Sequence, residues 1–260
     1  MAFLLTFIGG QGKKFYHVQV AAGGTSFLVH ESDGTSKFLL ENGPPLTLTF
    51  DATATGNSSS GTSLSWSHTT TTNSDRILIV GVSWRGTGSV STVTYNAVSM
   101  TSIGSASGPN NTKMEMFRLV SPSTGTNTVQ VTFTGSIDGS VGGSYTFYNA
   151  HQSSFGTFAS NTGSAGVSPA TVDVSSASGE TVVDCVSWDR SPAMTAGGGQ
   201  TERWDADDNG DADIRGGGST EAGATTVTMS WTGGSEGWAI GGVSVKPVFG
   251  PAVDAIILEA

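Results

Sequence analysis

Ile77 to Trp84 read ILIVGVSW, and Thr181 to Trp188 read TVVDCVSW. Each run is close to continuously apolar and ends on Val-Ser-Trp. Each follows a polar turn, TNSD at 72–75 and SASGE at 176–180. Neither run shows the period of an amphipathic helix or the alternation of a half-exposed strand. An unbroken apolar run bounded by turn residues fits a strand covered on both faces. The shared ending reads as two equivalent central strands in facing sheets.

Working outward, the same grammar recurs. Runs rich in β-branched and aromatic residues alternate with clusters of Gly, Ser, Asn and Asp. They include LTLTFDA (46–52), SLSWSHT (63–69), STVTYN (91–96), KMEMFRLV (113–120), NTVQVTF (127–133), ATVDVS (170–175), TTVTMSW (225–231) and WAIGGVSV (238–245). Many short strands with frequent turns predict a sandwich or barrel. The expected fold is all-β: an antiparallel, jelly-roll-like β-sandwich over 46–247. An N-terminal arm of short strands precedes it over 1–45, and a tail follows over 248–260. Pro44 and Pro45 mark the first boundary, because two prolines cannot both sit in a central strand.

Composition agrees and excludes several roles. Glycine supplies 37 of 260 residues, and charged residues only 12%. Disordered chains are usually charge-rich and poor in β-branched residues, unlike this one. The net charge is −10 with 11 Lys plus Arg, so no basic stripe exists for nucleic acid or an anionic membrane surface. No stretch reaches the ~20 apolar residues of a membrane helix. Cys185 is the single cysteine, which rules out an intrachain disulfide; its apolar setting reads as a buried structural thiol. The opening MAFLLTFIGGQGKKF lacks the basic segment and the apolar length of a signal peptide. If Met1 is the natural start, the chain is expected to be made without Sec export, as a virion protein released by lysis is.

From about Arg76 to Pro247 the chain resembles a β-sandwich module that recurs in phage structural proteins and bacterial extracellular proteins. The resemblance rests on ILIVGVSW, VSTVTYNAVSMTSIG (90–104), FRLVSPSTGTNTVQVTFTG (117–135), GETVVDCVSWD (179–189), TMSW (228–231) and WAIGGVSVKP (238–247). It includes a hairpin turn at Tyr95-Asn96-Ala97 and a corner from Leu119 to Gly125. It implies architecture and a structural or adhesive setting, and no chemistry. The first 45 residues and the acidic stretch at 205–213 lie outside it.

No catalytic residue is assigned. His17, His30, His68 and His151 never pair at metal-ligand spacing. His68 and His151 read as satisfied polar surface residues at strand ends. No nucleophile elbow or phosphate loop is present. Asp184 interrupts an apolar strand and is expected to face outward; if buried it needs a partner such as Arg190 or Arg203.

The stretch WDADDNGDADIRGGG (204–218) is the densest cluster of charge. Asp205, Asp207 and Asn209 take positions 1, 3 and 5 of an EF-type loop, Gly210 the turn position, and Asp211 and Asp213 positions 7 and 9. Position 12 is Gly216 where a bidentate Glu belongs. These five ligand residues form a candidate structural calcium site, and no cofactor is otherwise required. The alternative is a solvated acidic loop. Of the tryptophans, Trp66, Trp84, Trp188 and Trp231 read as core. Trp204 and Trp238 flank loops and are candidate stacking platforms for a glycan, with core or interface packing placed ahead of that role.

The two ends carry apolar residues outside the sandwich. Phe3, Leu5 and Phe7 alternate along a short strand, and Ile256, Ile257 and Leu258 cluster in the tail. Both segments are expected to be assembly elements laid against a neighbouring copy. The expected function is therefore a non-enzymatic, self-assembling structural protein in the virion or extracellular space. Its partners are itself and other virion proteins, in a decoration, tail or fibre role. A bacterial extracellular filament and a carbohydrate-binding or adhesion module are the alternatives.

Overall fold

The two Val-Ser-Trp runs become the central strands of two five-stranded sheets that face each other. The computed structural model describes residues 3–10, 13–20, 25–32, 35–40, 44–191, 193–208, 214–250 and 254–255, with side chains over 44–191, 193–208 and 214–250. In chain order the strands are β1 (Phe3–Gly10), β2 (Lys13–Val20), β3 (Thr25–Ser32), β4 (Thr35–Leu40), β5 (Thr49–Ser58), β6 (Gly61–Thr70), β7 (Ile77–Arg85) and β8 (Val90–Tyr95). Then come β9 (Val98–Ser99), β10 (Thr101–Ser107), β11 (Thr112–Val120), β12 (Gly125–Ile137), β13 (Gly139–Tyr148), β14 (Ala159–Gly163) and β15 (Ala170–Ser175). The last are β16 (Thr181–Asp189), β17 (Thr195–Ala196), β18 (Thr201–Asp207), β19 (Ile214–Ala222), β20 (Thr226–Thr232), β21 (Trp238–Val245) and β22 (Asp254–Ala255). Among the described residues the one helical element is a 3₁₀ turn, Pro109–Asn111.

Contacts divide the chain into Thr47–Val248 and a second unit made of Met1–Leu46 with Phe249–Ala260. Within the first unit, the sheet β10-β11-β7-β13-β5 covers the sheet β6-β12-β8-β9, and β18-β19-β16-β21-β14 covers β15-β20-β17. All pairings are antiparallel. The span read as one sandwich thus holds two, and they share one topology. Strands β5–β8 and β10–β13 correspond one by one to β14–β21, and only β9 lacks a counterpart. In each half, early and late strands interleave: β5 beside β13 beside β7, and β6 beside β12 beside β8. That is jelly-roll order, with one departure: β10 hairpins onto β11 inside the five-stranded sheet.

The duplication extends to detail. Val129, Val131 and Phe133 in TVQVTFTG (128–135) match Val227, Met229 and Trp231 in TVTMSWTG (226–233). Both edge hairpins carry a bulge at the same place, between Ser102 and Gly104 and between Glu202 and Trp204. At Asn96 and Ala97 the backbone takes φ of 49° and 62°. Two left-handed residues linking β8 to β9 make the tight hairpin expected there.

Period-two alternation sorts the side chains of the central strands. Leu78, Val80, Val82 and Trp84 enter the first sandwich core with Trp66, Tyr95 and Val131. Val182, Val186 and Trp188 enter the second with Trp231, Met229 and Ile240. The opposite faces meet each other: Ile77, Ile79, Met114, Met116 and Tyr145 pack on Val183, Cys185, Trp204 and Val243. This third core is why both strands are apolar on both sides. The packing follows a pseudo-twofold axis. Strand β11 lies on β16 and β21 as β19 lies on β7 and β13, and β18 lies on β5 as β10 lies on β14.

The second unit is one antiparallel sheet in the order β1-β2-β3-β4-β22, joining the arm to the tail. Its register lines up Leu5, Val18, Phe27 and Leu40 in one row, and Phe7, Tyr16, Val29 and Phe38 in another. Phe3 pairs with Val20. The tail residues Ile256, Ile257 and Leu258 lie outside the described residues.

Candidate functional site

Strands β18 and β19 form the acidic hairpin, and its register places Asp207 opposite Arg215. Arg215 grips Asp205 through two parallel bonds, Nε to Oδ1 at 2.6 Å and Nη2 to Oδ2 at 2.8 Å. Its Nη1 lies 3.6 Å from Asp207 Oδ2. A bidentate guanidinium–carboxylate pair is among the stronger charge-assisted contacts. The hairpin therefore carries its own counter-cation at the first two candidate calcium ligands. The neighbouring carboxylates keep the Arg215 pKa above its ordinary value, the hydrogen bond to Asp205 first among the causes. Asp208 turns inward and is fully buried, close enough to Gly139 that a Cβ there would lie 2.3 Å from Asp208 Oδ2. Asn209, Asp211 and Asp213 lie outside the described residues. Among the described residues no three His, Cys, Asp or Glu side chains converge as a metal cluster would.

Asp184 corrects the expectation of an outward-facing carboxylate. It is 0% exposed, and it points into the second sandwich core at the position Val80 holds in the first. Neither Arg190 nor Arg203 is its hydrogen-bond partner. Oδ1 accepts from the Ser219 amide at 2.6 Å and the Ser219 hydroxyl at 2.9 Å, and Oδ2 accepts from Trp231 Nε1 at 2.8 Å. The reason lies in the ladder. Strand β16 pairs with β19 at Val183 and again at Val186, but not at Asp184 or Cys185. The Ser219 amide freed by that gap is taken by the carboxylate. The Asp184 carbonyl accepts instead from the Tyr145 hydroxyl at 2.7 Å. Burial pushes the Asp184 carboxyl up to about 7, against the pull of its donors.

His68 is a second correction. It is 1% exposed and enters the first core from β6. Its Nδ1 lies 2.8 Å from Ser144 Oγ, and its Nε2 bonds to the Thr146 hydroxyl. Trp66 Nε1 donates to Ser144 Oγ at 3.0 Å. Burial lowers the His68 pKa to about 4, with Asp51 opposing weakly. The Ser–His contact has no opening to solvent, so it ties two sheets together inside a core. His151 is half-buried, and its Nδ1 accepts from the amides of Ser153 and Ser154. Cys185 is buried as expected, and burial raises its thiol to about 12.

Trp204 and Trp238 follow the packing reading placed first for them, and the stacking-platform alternative falls. Trp204 and Trp238 are 4% and 2% exposed, so neither ring offers a face to a sugar. Trp204 lies between the two sandwiches and donates Nε1 to the Tyr145 hydroxyl at 2.8 Å. It sits flat against backbone: a Cβ on Gly143 would lie 2.1 Å from its Cε2. Trp238 lies in the second core, 6.2 Å from the Trp188 ring, and donates to the Val167 carbonyl at 2.7 Å. All six tryptophans are buried.

The sequence singles out neither Arg118 nor Lys246, the two cations among the residues described with their side chains that make no side-chain hydrogen bond or ion pair. The signal available for them was scarcity, since the chain has 11 Lys plus Arg. No protein-family model, curated protein or solved structure matches the chain.

Proposed function

We propose that the chain is a non-enzymatic structural protein that assembles with copies of itself, as a decoration, tail or fibre subunit of a phage virion. One observation carries this reading: the arm and the tail pair into a sheet of their own, with rows of apolar residues in register. A single sheet cannot bury an apolar face within itself and needs a second layer. A second copy of the same sheet supplies that layer, and free strand edges offer further pairing. The side chains with chemistry support the same reading, because His68, Ser144 and Asp184 are spent on cross-links inside the cores.

The test starts with the full chain. Sedimentation and negative-stain imaging should show discrete oligomers or filaments, with mass rising with concentration. A chain that stays monomeric at high concentration sinks the proposal. A variant reduced to residues 47–248 should remain folded and monomeric. If it polymerises as the full chain does, the terminal sheet is not the assembly device. Gene neighbours encoding capsid, portal or tail proteins favour the virion setting, and neighbours encoding secretion machinery argue for the bacterial filament.

A further inference from the structure

Arg118 and Lys246 stand apart from the other cations whose side chains are described. Arg76, Arg85, Lys113, Arg190, Arg203 and Arg215 are each engaged by a carbonyl, hydroxyl, carboxylate or other partner. The two uncommitted ones line neighbouring hollows on either side of Phe155 and Gly156. The first hollow, about 320 Å³, is lined by Ser102, Arg118, Ser153, Phe155 and Phe158. The second, about 300 Å³, is lined by Phe155, Gly156, Ser175, Ser176, Glu180 and Lys246. Both are large enough for a sugar unit. Ser102 donates its hydroxyl to Glu115 Oε1 at 2.7 Å. Glu180 is held by the Ser244 hydroxyl and the Ala177 amide.

The duplication makes the first hollow conspicuous. Ala54 and Ala159 hold equivalent positions beside Ser144 of β13 and Gly242 of β21, and Phe50 and Phe155 precede them by the same four residues. Each phenylalanine carries an arginine from the opposite sandwich on its ring, Arg203 at 3.8 Å and Arg118 at 4.9 Å. Arg203 is committed, since its Nε donates to Thr220 Oγ1 at 2.9 Å. Arg118 keeps its donors, with its guanidinium carbon resting over the Phe155 ring. A planar fork with its donors uncommitted is the group that takes a carboxylate bidentately.

We infer that these paired hollows bind an acidic saccharide, with a uronate carboxylate on Arg118, ring hydroxyls on Ser153 and Ser175, and the next acidic unit reaching Lys246; the Ser176 hydroxyl is already bonded to the Ala224 backbone. The inference is independent of the assembly reading. A hydroxyl-rich lining suits a polyhydroxylated ligand. The chain's net charge of −10 repels polyanions at long range, so binding rests on these local contacts.

The experiment is titration of the full chain, at low and moderate salt, with oligogalacturonate, neutral dextran oligosaccharide and polyglutamate. The expected result is saturable binding of oligogalacturonate alone, weakening with salt. Arg118→Gln should weaken it about tenfold or more with no change in Tm, as loss of charge-assisted bonds does. Arg118→Lys should fall between, because it keeps the charge and loses the fork. Lys246→Gln provides a second variant at a half-buried position on the other hollow, should Arg118→Gln disturb folding, and should weaken binding several-fold. Absence of saturable binding by the unmodified chain overturns the inference. So does binding that ignores both Arg118→Gln and Lys246→Gln. Polyglutamate binding as tightly as oligogalacturonate overturns the saccharide assignment in favour of an acidic peptide.

Discussion

Gly81 and Cys185 hold the same position in the two sandwiches and pack against each other across the pseudo-twofold axis; a Cβ on Gly81 would lie 2.7 Å from Cys185 Sγ. In a symmetric dimer of single sandwiches a residue at such a point meets its own copy. A fused duplicate escapes that constraint, because one copy can be glycine and the other can fill the space. Gly81→Ala should destabilise the chain by about 1–3 kcal/mol through overpacking. Combining it with Cys185→Gly should recover a substantial part of the loss. Chemical denaturation of the four species of this double-mutant cycle measures the coupling; additive effects would remove the close contact from the account.

The two sandwiches should respond to pH in opposite directions. His68 has its folded pKa lowered from 6.5 to about 4. The unfolded chain then binds the extra proton between those values, so this contribution is present above about 6.5 and lost as pH falls towards 4. Asp184 has its folded pKa raised from 3.8 to about 7. Here the folded chain binds the extra proton, so stability is greatest at low pH and is lost as pH rises from about 4 to 7. Each effect is on the order of 3 kcal/mol. Between about pH 4 and 6.5 the two slopes oppose each other. Asp184→Asn should remove the falling slope and leave stability rising with pH, whereas His68→Gln should leave it falling. Denaturation midpoints across this range read the result, and variants whose slopes match the parent's would contradict it.

Trp204→Ala should cost about 3–5 kcal/mol, as removal of a buried indole usually does. The loss should also free the Tyr145 hydroxyl of its donor. Because the ring is enclosed, adding neutral glycans should leave the fluorescence of Trp204 and Trp238 unchanged. A saturable fluorescence response that disappears in a Trp204→Phe variant would show the ring to be reachable after all.

Arg215→Gln should make the acidic hairpin sensitive to calcium. With the guanidinium gone, Asp205 and Asp207 lose their counter-cation, and a divalent ion can take its place. The expected outcome is a larger rise of Tm with millimolar calcium in the variant than in the parent, reversed by chelator. A parent chain whose Tm rises as much as the variant's would place a calcium ion beside Arg215 rather than in its stead.

The amino-acid sequence by itself determined the strands. Continuous apolar runs, period-two alternation and turn residues are relationships between near neighbours, so ILIVGVSW and TVVDCVSW could be recognised as equivalent central strands before any packing was known. The pairing of positive-φ Asn96 and Ala97 in a hairpin was legible for the same reason. What the sequence did not determine was which polar residues turn inward. Asp184 meets Ser219 and Trp231 at separations of 35 and 47 residues, and His68 meets Ser144 at 76. Without those donors a carboxylate or imidazole on an apolar strand is costly to bury, so reading both outward followed from local sequence alone. Only the tertiary structure supplies the partners. It likewise closes Trp204 between the sandwiches, because the surface that covers it, Gly143 and Tyr145, belongs to the other half of the duplicate. The second layer of each sheet decides burial, and that layer is assembled from residues too distant in the chain for periodicity to register.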